Sequence, residues 1–155
     1  MRHDLPIQTT LEVRDRCLCL HLQRAARAIA RRFDEALRPL GLNNGQYSLL
    51  MSLNRPEPPR ISDLAAFLAM DRTTLTANTK PLARRGLLEI IPDARDRRSR
   101  RLRLTDAGRD LLVAAVPVWR ATHDGIDRLL PGTDAAALRA DLRRLSSPDE
   151  DRPRT

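Results

Sequence analysis

The chain has 155 residues, of which 41% are hydrophobic and only 3% aromatic. This length suits one domain with its own core, and so few aromatic residues favour a core of Leu, Ala, Ile and Val between packed helices. The net charge of +8 favours a polyanionic partner. Lys80 is the only lysine among the 28 basic residues, however, and such an arginine bias also arises from a GC-rich genome.

Several classes of protein are disfavoured by what the sequence lacks. No apolar run approaches the ~18 residues of a membrane span, and residues 1–11 lack the apolar core of a signal peptide. We therefore expect a cytoplasmic protein with no membrane partner. The three histidines are far apart, and no Gly-rich phosphate loop and no Ser or Cys paired with a base is evident. The sequence thus predicts no enzyme and no cofactor.

The first predicted element is one long helix over residues 12–38. Apolar residues recur there at steps of three and four, and Pro39 and Gly41 end the pattern. The apolar stripe consists of Leu18, Leu22, Ala25, Ile29, Phe33, Ala36 and Leu40. A helix of this length spans about 40 Å, more than a compact monomer of this size needs, so we expect it to pack against a partner subunit.

Two shorter helices are predicted next. Asn43 and Gln46 have the spacing of a capping box at the start of the second helix. The proline-rich stretch 55–60 is predicted as a rigid loop, and Ser62 as the N-cap of a third helix within 61–70. The residues of this third helix predicted to face inward are Ile61, Leu64, Ala65 and Leu68.

A fourth helix follows a tight turn at Met70 and Asp71. Asp71 is predicted as its N-cap and Gly86 as the residue just beyond its end. Pro81 is expected to bend this helix. Leu75 and Leu82 are predicted to face inward, and the opposite face carries Thr73, Thr76, Ala77, Lys80 and Arg84.

After Gly86 the pattern changes from helical to alternating. "LLEII" and "RLRL" are predicted as two short strands of a hairpin. The stretch "RDRRSRRLR" (95–103) then forms the hairpin tip and the start of the second strand. Thr105 and Asp106 begin another long helix that Pro117 should kink, a last helix spans 134–146, and residues 147–155 are expected to be frayed.

A short helix, a tight turn, a polar helix and a basic hairpin together predict a winged helix-turn-helix. An α-helix fits the major groove of B-DNA, and arginines of an adjacent hairpin can reach the minor groove or the backbone. The predicted DNA-binding residues are Arg72, Thr73, Thr74, Thr76, Lys80 and Arg84 on the helix, with Arg95, Asp96, Arg98 and Arg100 in the hairpin.

The sequence resembles the MarR transcriptional regulators over residues 17–145, most closely over "ISDLAAFLAMDRTTLTANTKPLARRGLLEIIPDARDRRSRRLRLTDAG". Their wing pattern, Asp-x-Arg followed by Leu-Thr-x-x-Gly, is present as Asp96, Arg98, Leu104, Thr105 and Gly108. The resemblance implies a mainly α fold with a small β-hairpin wing. It also implies a single domain over 1–155, with long dimerisation helices in 12–40 and 105–146 and a winged-helix DNA-binding lobe over 43–104.

The resemblance also implies a function. A homodimer would place two recognition helices in successive major grooves of a pseudo-palindromic operator in double-stranded DNA. Arg98 would enter the minor groove, held by a short ion pair with Asp96. A small aromatic or phenolic effector would bind between the dimerisation helices and the DNA-binding lobe and release the repressor. Ala77 stands where many relatives carry a basic residue, so base readout would rely on Thr73, Thr76 and Lys80.

Alternatives remain open. Cys19 lies 27 residues before Gln46, the spacing at which the peroxide-sensing branch of the family places its reactive cysteine, but Phe33 and Asn44 replace the two supporting tyrosines. Cys19 is therefore a candidate redox residue or a packing residue. Cys17 and His21 share a helix face, yet two ligands are too few for a metal site. A non-specific architectural DNA-binding protein would differ by binding random and cognate DNA alike.

Overall fold

The computed structural model describes residues 4–96 and 98–146, and its elements there confirm a mainly α fold with one β-hairpin. In chain order they are α1 Ile7–Arg16, α2 Leu18–Leu37, a 3-10 turn Arg38–Leu40, α3 Asn44–Ser52, α4 Ile61–Phe67, α5 Arg72–Arg84, β1 Leu88–Pro92, β2 Arg100–Leu104, α6 Asp106–Asp127 and α7 Ala135–Ser146. Over the described ranges, no helix is both long enough and apolar enough to cross a membrane. The expected fraying of residues 147–155 lies outside them.

The amino-terminal region differs from the prediction of one helix over 12–38. Helix α1 begins earlier, at Ile7, and the helix is interrupted at Cys17, which has an extended backbone conformation (φ −72°, ψ 98°). The Cys17 thiol accepts a hydrogen bond from the backbone N–H of Leu20 at 3.4 Å and so caps α2. The prediction was wrong here because no proline or glycine marks the break and because cysteine is not among the preferred N-cap residues.

The core is built mostly from leucines, as the composition predicts. Helices α2, α3, α5 and α6 pack together, with the inner face of the hairpin against them. Leu75 and Leu82 of α5 are fully buried, which confirms their predicted inward orientation, and so is Leu64 of α4. Helices α1 and α7, in contrast, bury no side chain within the chain.

The predicted N-caps of α3 and α5 are confirmed. The Asn43 side chain accepts from the backbone N–H of Gln46 at 2.8 Å, and the Gln46 side chain accepts from the N–H of Asn43 at 3.2 Å. Asp71 accepts from the N–H of Thr74 at 2.8 Å and begins α5. Gly86, at φ 70°, follows the end of that helix. The capping signals thus placed the start of both helices and the end of α5.

The predicted cap of α4 was wrong. Arg60 occupies the N-cap position and makes no capping hydrogen bond with its side chain. Ser62 lies inside the first turn, where its hydroxyl donates to the Asp63 carboxylate at 3.1 Å. Arg60 has an extended backbone (φ −71°, ψ 149°) and also forms an isolated antiparallel bridge with Arg101 of β2.

Both proline-containing helices are continuous. Helix α5 runs through Pro81 and α6 runs through Pro117. The end of α5, the start of β1 and the start of α6 meet at one point, where the Thr105 hydroxyl donates to the Gly86 carbonyl at 2.7 Å and accepts from the N–H of Gly108 at 3.1 Å. Helix α5 is therefore fixed directly to α6.

Candidate nucleic-acid interface

The outward face of α5 carries the polar side chains that the sequence predicted. Leu75, Thr79 and Leu82 bury the opposite face, which leaves the outward face exposed. A shallow concave surface on it is lined by Arg72, Thr73, Thr76, Ala77 and Lys80. Arg84 is also exposed, one turn beyond Lys80. A helix with hydroxyl and cationic side chains along its exposed face has the chemistry needed to contact base edges and phosphates.

The threonines of this face are not equivalent. The Thr74 hydroxyl donates to the Asp71 carboxylate at 2.8 Å, so it belongs to the cap of α5. The backbone N–H and the hydroxyl of Thr74 together lower the pKa of Asp71. The Thr76 hydroxyl donates to the Arg72 carbonyl at 2.7 Å, which leaves its oxygen able to accept from a base or a water molecule.

The hairpin tip exposes the other predicted side chains, with one correction. Arg95, Asp96, Arg98 and Arg100 are all exposed. The Asp96 carboxylate accepts from the backbone N–H of Arg98 at 2.9 Å and from the Ser99 hydroxyl at 2.7 Å, and these bonds lower the pKa of Asp96. In place of the expected ion pair with the Arg98 guanidinium, the Asp96 carboxylate thus stabilises the backbone turn at the tip. Asp96 shapes the tip, and the Arg98 side chain extends into solvent.

Asp93 is the residue that sequence reasoning missed. Its side chain is fully buried, and it accepts from Arg60 Nε at 2.8 Å and from Arg101 Nε at 2.7 Å. The backbone N–H of Arg95 donates to the other oxygen at 2.8 Å. This backbone bond, with the two guanidinium groups, holds the pKa of Asp93 far below its usual range. The only sequence signal was an acidic residue two positions before the basic run that begins at Arg95.

Arg101 alternates with the buried Leu102 and Leu104 on β2 but is itself only partly exposed. Besides its bond to Asp93, its Nη1 donates to the Pro58 carbonyl at 2.7 Å, and only 26% of its side chain is exposed. Arg103, two residues further on the same strand, is exposed and pairs with Glu89 of β1. The two arginines therefore differ, and Arg101 belongs to the interior of the wing.

An apolar cavity of about 590 Å³ lies between α3, α4 and α6. The Tyr47 and Trp119 rings stack with centroids 6.5 Å apart, and His123 lies 5.0 Å from Trp119. Burial raises the pKa of Tyr47, while the positive charge of Arg120 opposes this. The cavity is lined by Tyr47, Ser48, Met51, Ser52, Phe67, Leu68, Val116, Trp119 and Arg120.

The cysteines are free thiols in the region described. Cys19 is exposed, so it does not pack in the core of this chain, and the Gln23 side-chain amide donates to its sulfur at 3.2 Å. The Cys17 thiol is the cap of α2. Across residues 4–96 and 98–146, no three His, Cys, Asp or Glu side chains converge in a way that could hold a metal ion.

This arrangement of helices and hairpin is that of a winged-helix DNA-binding protein. The MarR family profile matches residues 42–99. Over 149 residues, the chain is 32% identical to the transcriptional repressor MprA of Escherichia coli, covering 94% of this chain and 81% of that relative. The Mycobacterium tuberculosis regulator MosR, solved in complex with DNA, is 37% identical with a TM-score of 0.74, covering 84% of this chain and 93% of that one.

The chain therefore belongs to the MarR family, whose members are DNA-binding transcriptional regulators rather than enzymes. The transcriptional activatory protein BadR of Rhodopseudomonas palustris is 33% identical over 110 residues, which are 68% of this chain and 63% of BadR, less than two thirds of its length. BpsR of Bordetella bronchiseptica, whose DNA binding is regulated by 6-hydroxynicotinic acid, is 25% identical with a TM-score of 0.71. The match covers 84% of this chain and 98% of BpsR.

Proposed function

We propose that this protein is a homodimeric, sequence-specific repressor that a small aromatic or phenolic effector releases from a pseudo-palindromic operator. The proposal rests chiefly on one observation, the exposed hydroxyl and cationic face of α5 followed by an arginine-rich hairpin tip. In this proposal residues 43–104 form the DNA-binding lobe, and the helices within 12–40 and 105–146 join two subunits. The similarity to the repressor MprA supports repression.

Each part of the interface takes a separate role. Thr73, Thr76 and Lys80 face the bases of the major groove, while Arg72 and Arg84 bind phosphates at either end of α5. Thr74 contributes through the cap of α5 because its hydroxyl is held by Asp71. In the hairpin, Arg98 enters the minor groove, Asp96 shapes the turn, and Arg95 and Arg100 lie along the backbone.

Replacing Arg98 by alanine tests the wing contact. We expect specific binding to weaken by roughly 1–3 kcal/mol, the loss typical of one groove contact, because an exposed guanidinium in a narrow minor groove meets strong negative potential. Titration against a duplex selected from a random library by the wild-type protein gives the affinity. Arg31→Ala, which removes the same charge from the exposed side of α2, is the control. Equal losses in the two variants would contradict a wing contact.

A non-specific architectural protein is the competing hypothesis. It would bind the selected duplex and a scrambled duplex of equal length within a small factor, whereas we expect a preference of roughly a thousandfold or more for the selected one. Both titrations are run at one salt concentration, because phosphate contacts make every affinity dependent on salt.

The apolar cavity between α3, α4 and α6 is the proposed effector site. Its volume of about 590 Å³ lies within the range of small-molecule pockets. Stacked aromatic rings suit a planar ligand, and Arg120 supplies a cation for a carboxylate or phenolate. The similarity to BpsR, which responds to 6-hydroxynicotinic acid, supports an aromatic acid.

The single tryptophan provides the measurement. Because Trp119 is the only tryptophan of the chain and lines the cavity, its fluorescence should change when 4-hydroxybenzoate binds, and DNA affinity should fall over the same concentration range. Cyclohexanecarboxylate, which has the charge but no aromatic ring, is the ligand control, and Arg120→Gln should weaken binding of the aromatic acid. Unchanged fluorescence with hydroxybenzoates and with 6-hydroxynicotinic acid would count against this site.

Redox release through Cys19 is a second candidate mechanism. The thiol is exposed and therefore accessible to an oxidant, and the Gln23 side-chain amide donates a hydrogen bond to its sulfur. A hydroperoxide should then release wild-type protein and the Cys17→Ser variant from DNA but leave Cys19→Ser bound. If the Cys19→Ser variant is released as readily as wild type, this mechanism is excluded.

A further inference from the structure

The buried Asp93 carboxylate connects three segments that are separate in the sequence. Arg60, 33 residues earlier, precedes α4, and Arg101, eight residues later, lies on β2. Arg95, whose backbone N–H also donates to Asp93, begins the hairpin tip. A buried carboxylate is costly to leave without its partners, so the three segments are held in one relative position.

Backbone pairing accompanies these side-chain bonds. The N–H of Leu102 donates to the Pro59 carbonyl at 3.1 Å, and Arg60 forms an isolated antiparallel bridge with Arg101. Arg101 also reaches the Pro58 carbonyl. Residues 58–60 thus lie beside β2 like a short third strand, and the wing is attached to the first helix of the helix-turn-helix.

We propose that Asp93 is a positioning residue for DNA recognition, which with Arg60 and Arg101 fixes the direction in which the hairpin presents Arg98 to the minor groove. This inference rests on the proposed contact of Arg98 with DNA. It gives two arginines near the wing, Arg60 and Arg101, a structural role, because their Nε atoms donate to Asp93. It assigns an essential role at a DNA-binding surface to an acidic residue.

Neutralising Asp93 has two opposite expected effects on the affinity for DNA, one from its charge and one from its role in positioning the wing. Removing a negative charge near a polyanion should strengthen binding at any sequence. Loss of the bonds from Arg60 and Arg101 to Asp93 should weaken binding, because Arg98 is then no longer held in position for the minor groove. Asp93→Asn keeps the shape of the side chain and removes the charge. Glu89→Gln makes the same change on the same hairpin, at an exposed pair with Arg103, and is the matched control.

The experiment measures affinity for the library-selected duplex together with two footprints: hydroxyl-radical cleavage, which reports the minor groove, and dimethyl sulfate methylation of guanine N7, which reports the major groove. We expect Asp93→Asn to bind about tenfold more weakly, the loss of roughly one groove contact, while Glu89→Gln binds as well as wild type or better. Protection of the minor groove that flanks the half-sites should decrease in Asp93→Asn, while protection in the major groove stays. Stoichiometric titration gives the active fraction, so that partial unfolding is not counted as weak binding.

Arg101→Lys provides a second test if Asp93→Asn does not fold. Lysine keeps the charge but cannot bond to Asp93 and the Pro58 carbonyl through two separate nitrogens, so binding should again weaken and flanking protection decrease. Arg103→Lys, two residues away and paired only with exposed Glu89 among the described contacts, is its control and should bind like wild type.

Two results separate failure of this inference from failure of the proposed wing contact. If Asp93→Asn and Glu89→Gln bind alike while Arg98→Ala is weak, Asp93 does not position the wing, although the wing contacts DNA. If Arg98→Ala also binds like wild type, the proposed wing contact itself is wrong. A footprint of Asp93→Asn that is lost equally in both grooves would likewise overturn the positioning role.

Discussion

Gly108 stands where the fold leaves no room for a side chain. A Cβ atom there would lie 2.1 Å from the Leu87 carbonyl oxygen and 2.7 Å from a methyl group of Leu104. Helix α6 can begin this close to β1 only because the residue has no side chain. This contact gives a physical reason for the glycine in the Leu-Thr-x-x-Gly pattern.

Replacing Gly108 by alanine should destabilise the protein by roughly 1–3 kcal/mol or more, the cost of forcing atoms into a filled space. Gly125→Ala is the matched control on the same helix, where a Cβ would meet only Arg128 Nη2 at 3.7 Å. This second change should stabilise the helix by about 0.5–1 kcal/mol. Urea unfolding of the two variants measures both effects. Similar stability changes in the two would show that the contact at Leu87 does not govern this position.

The Asp93 carboxylate should also govern stability at low pH. Its pKa is lower in the folded chain than its usual value of 3.8, so its contribution is fully present well above pH 3.8 and is lost as the pH falls toward the folded value. We expect the difference in Tm between wild type and Asp93→Asn to be constant from about pH 7 to 5 and to narrow below pH 3.8. Thermal melts followed by circular dichroism measure it. A difference that widens in acid would contradict the assignment.

At the scale of elements, the junction at Thr105 connects the end of α5 to the start of α6. Its hydroxyl caps α6 and also bonds to the carbonyl of Gly86, directly after α5. Thr105→Ala should lower the free energy of unfolding by about 1 kcal/mol, as loss of an N-cap usually does. Thr105→Ser keeps the hydroxyl and should stay close to wild type in the same chemical unfolding measurement. Equal losses would assign the effect to the methyl group rather than to the cap.

The elements that the sequence predicted well are those whose signals are local. Capping at Asn43 and Asp71, and alternation in the second strand, each depend on residues within a few positions. The break at Cys17 was missed because no proline or glycine marks it in the sequence. Asp93 and Arg101 were missed because their burial depends on Arg60 and Pro58, up to 43 residues away. Local patterns do not contain such pairings.

For the whole molecule, the exposed apolar side chains are the main feature that a single chain does not explain. They are concentrated toward both ends of the described chain, on α1, the start of α2, the segment that follows α6, and α7, and include Leu11, Leu18, Leu129, Leu138, Leu142 and Leu145. Because a soluble surface rarely keeps so many leucines in water, we expect these helices to meet those of a second subunit.

A charge on this surface should separate the subunits. Leu142→Asp places a carboxylate in the proposed interface, so sedimentation at micromolar concentration should show a monomer where wild type is a dimer. Because one subunit contacts fewer phosphates, the slope of log affinity against log salt should fall by about half. Ala136→Asp puts the same charge on the opposite side of α7 and should remain dimeric. A monomeric wild-type protein that still binds the full operator would exclude the proposed assembly.

The single lysine allows the exposed face of α5 to be labelled selectively by a chemical reagent. Besides the terminal amine, Lys80 has the only primary amine of the chain, and it is exposed on the face of α5 proposed to meet DNA. An amine-selective acylating reagent should therefore label that side chain alone among the residues, and bound operator should shield it. The extent of labelling of the peptide that contains Lys80, read by mass spectrometry after digestion and so separately from the terminal amine, would then report operator occupancy without any engineered probe.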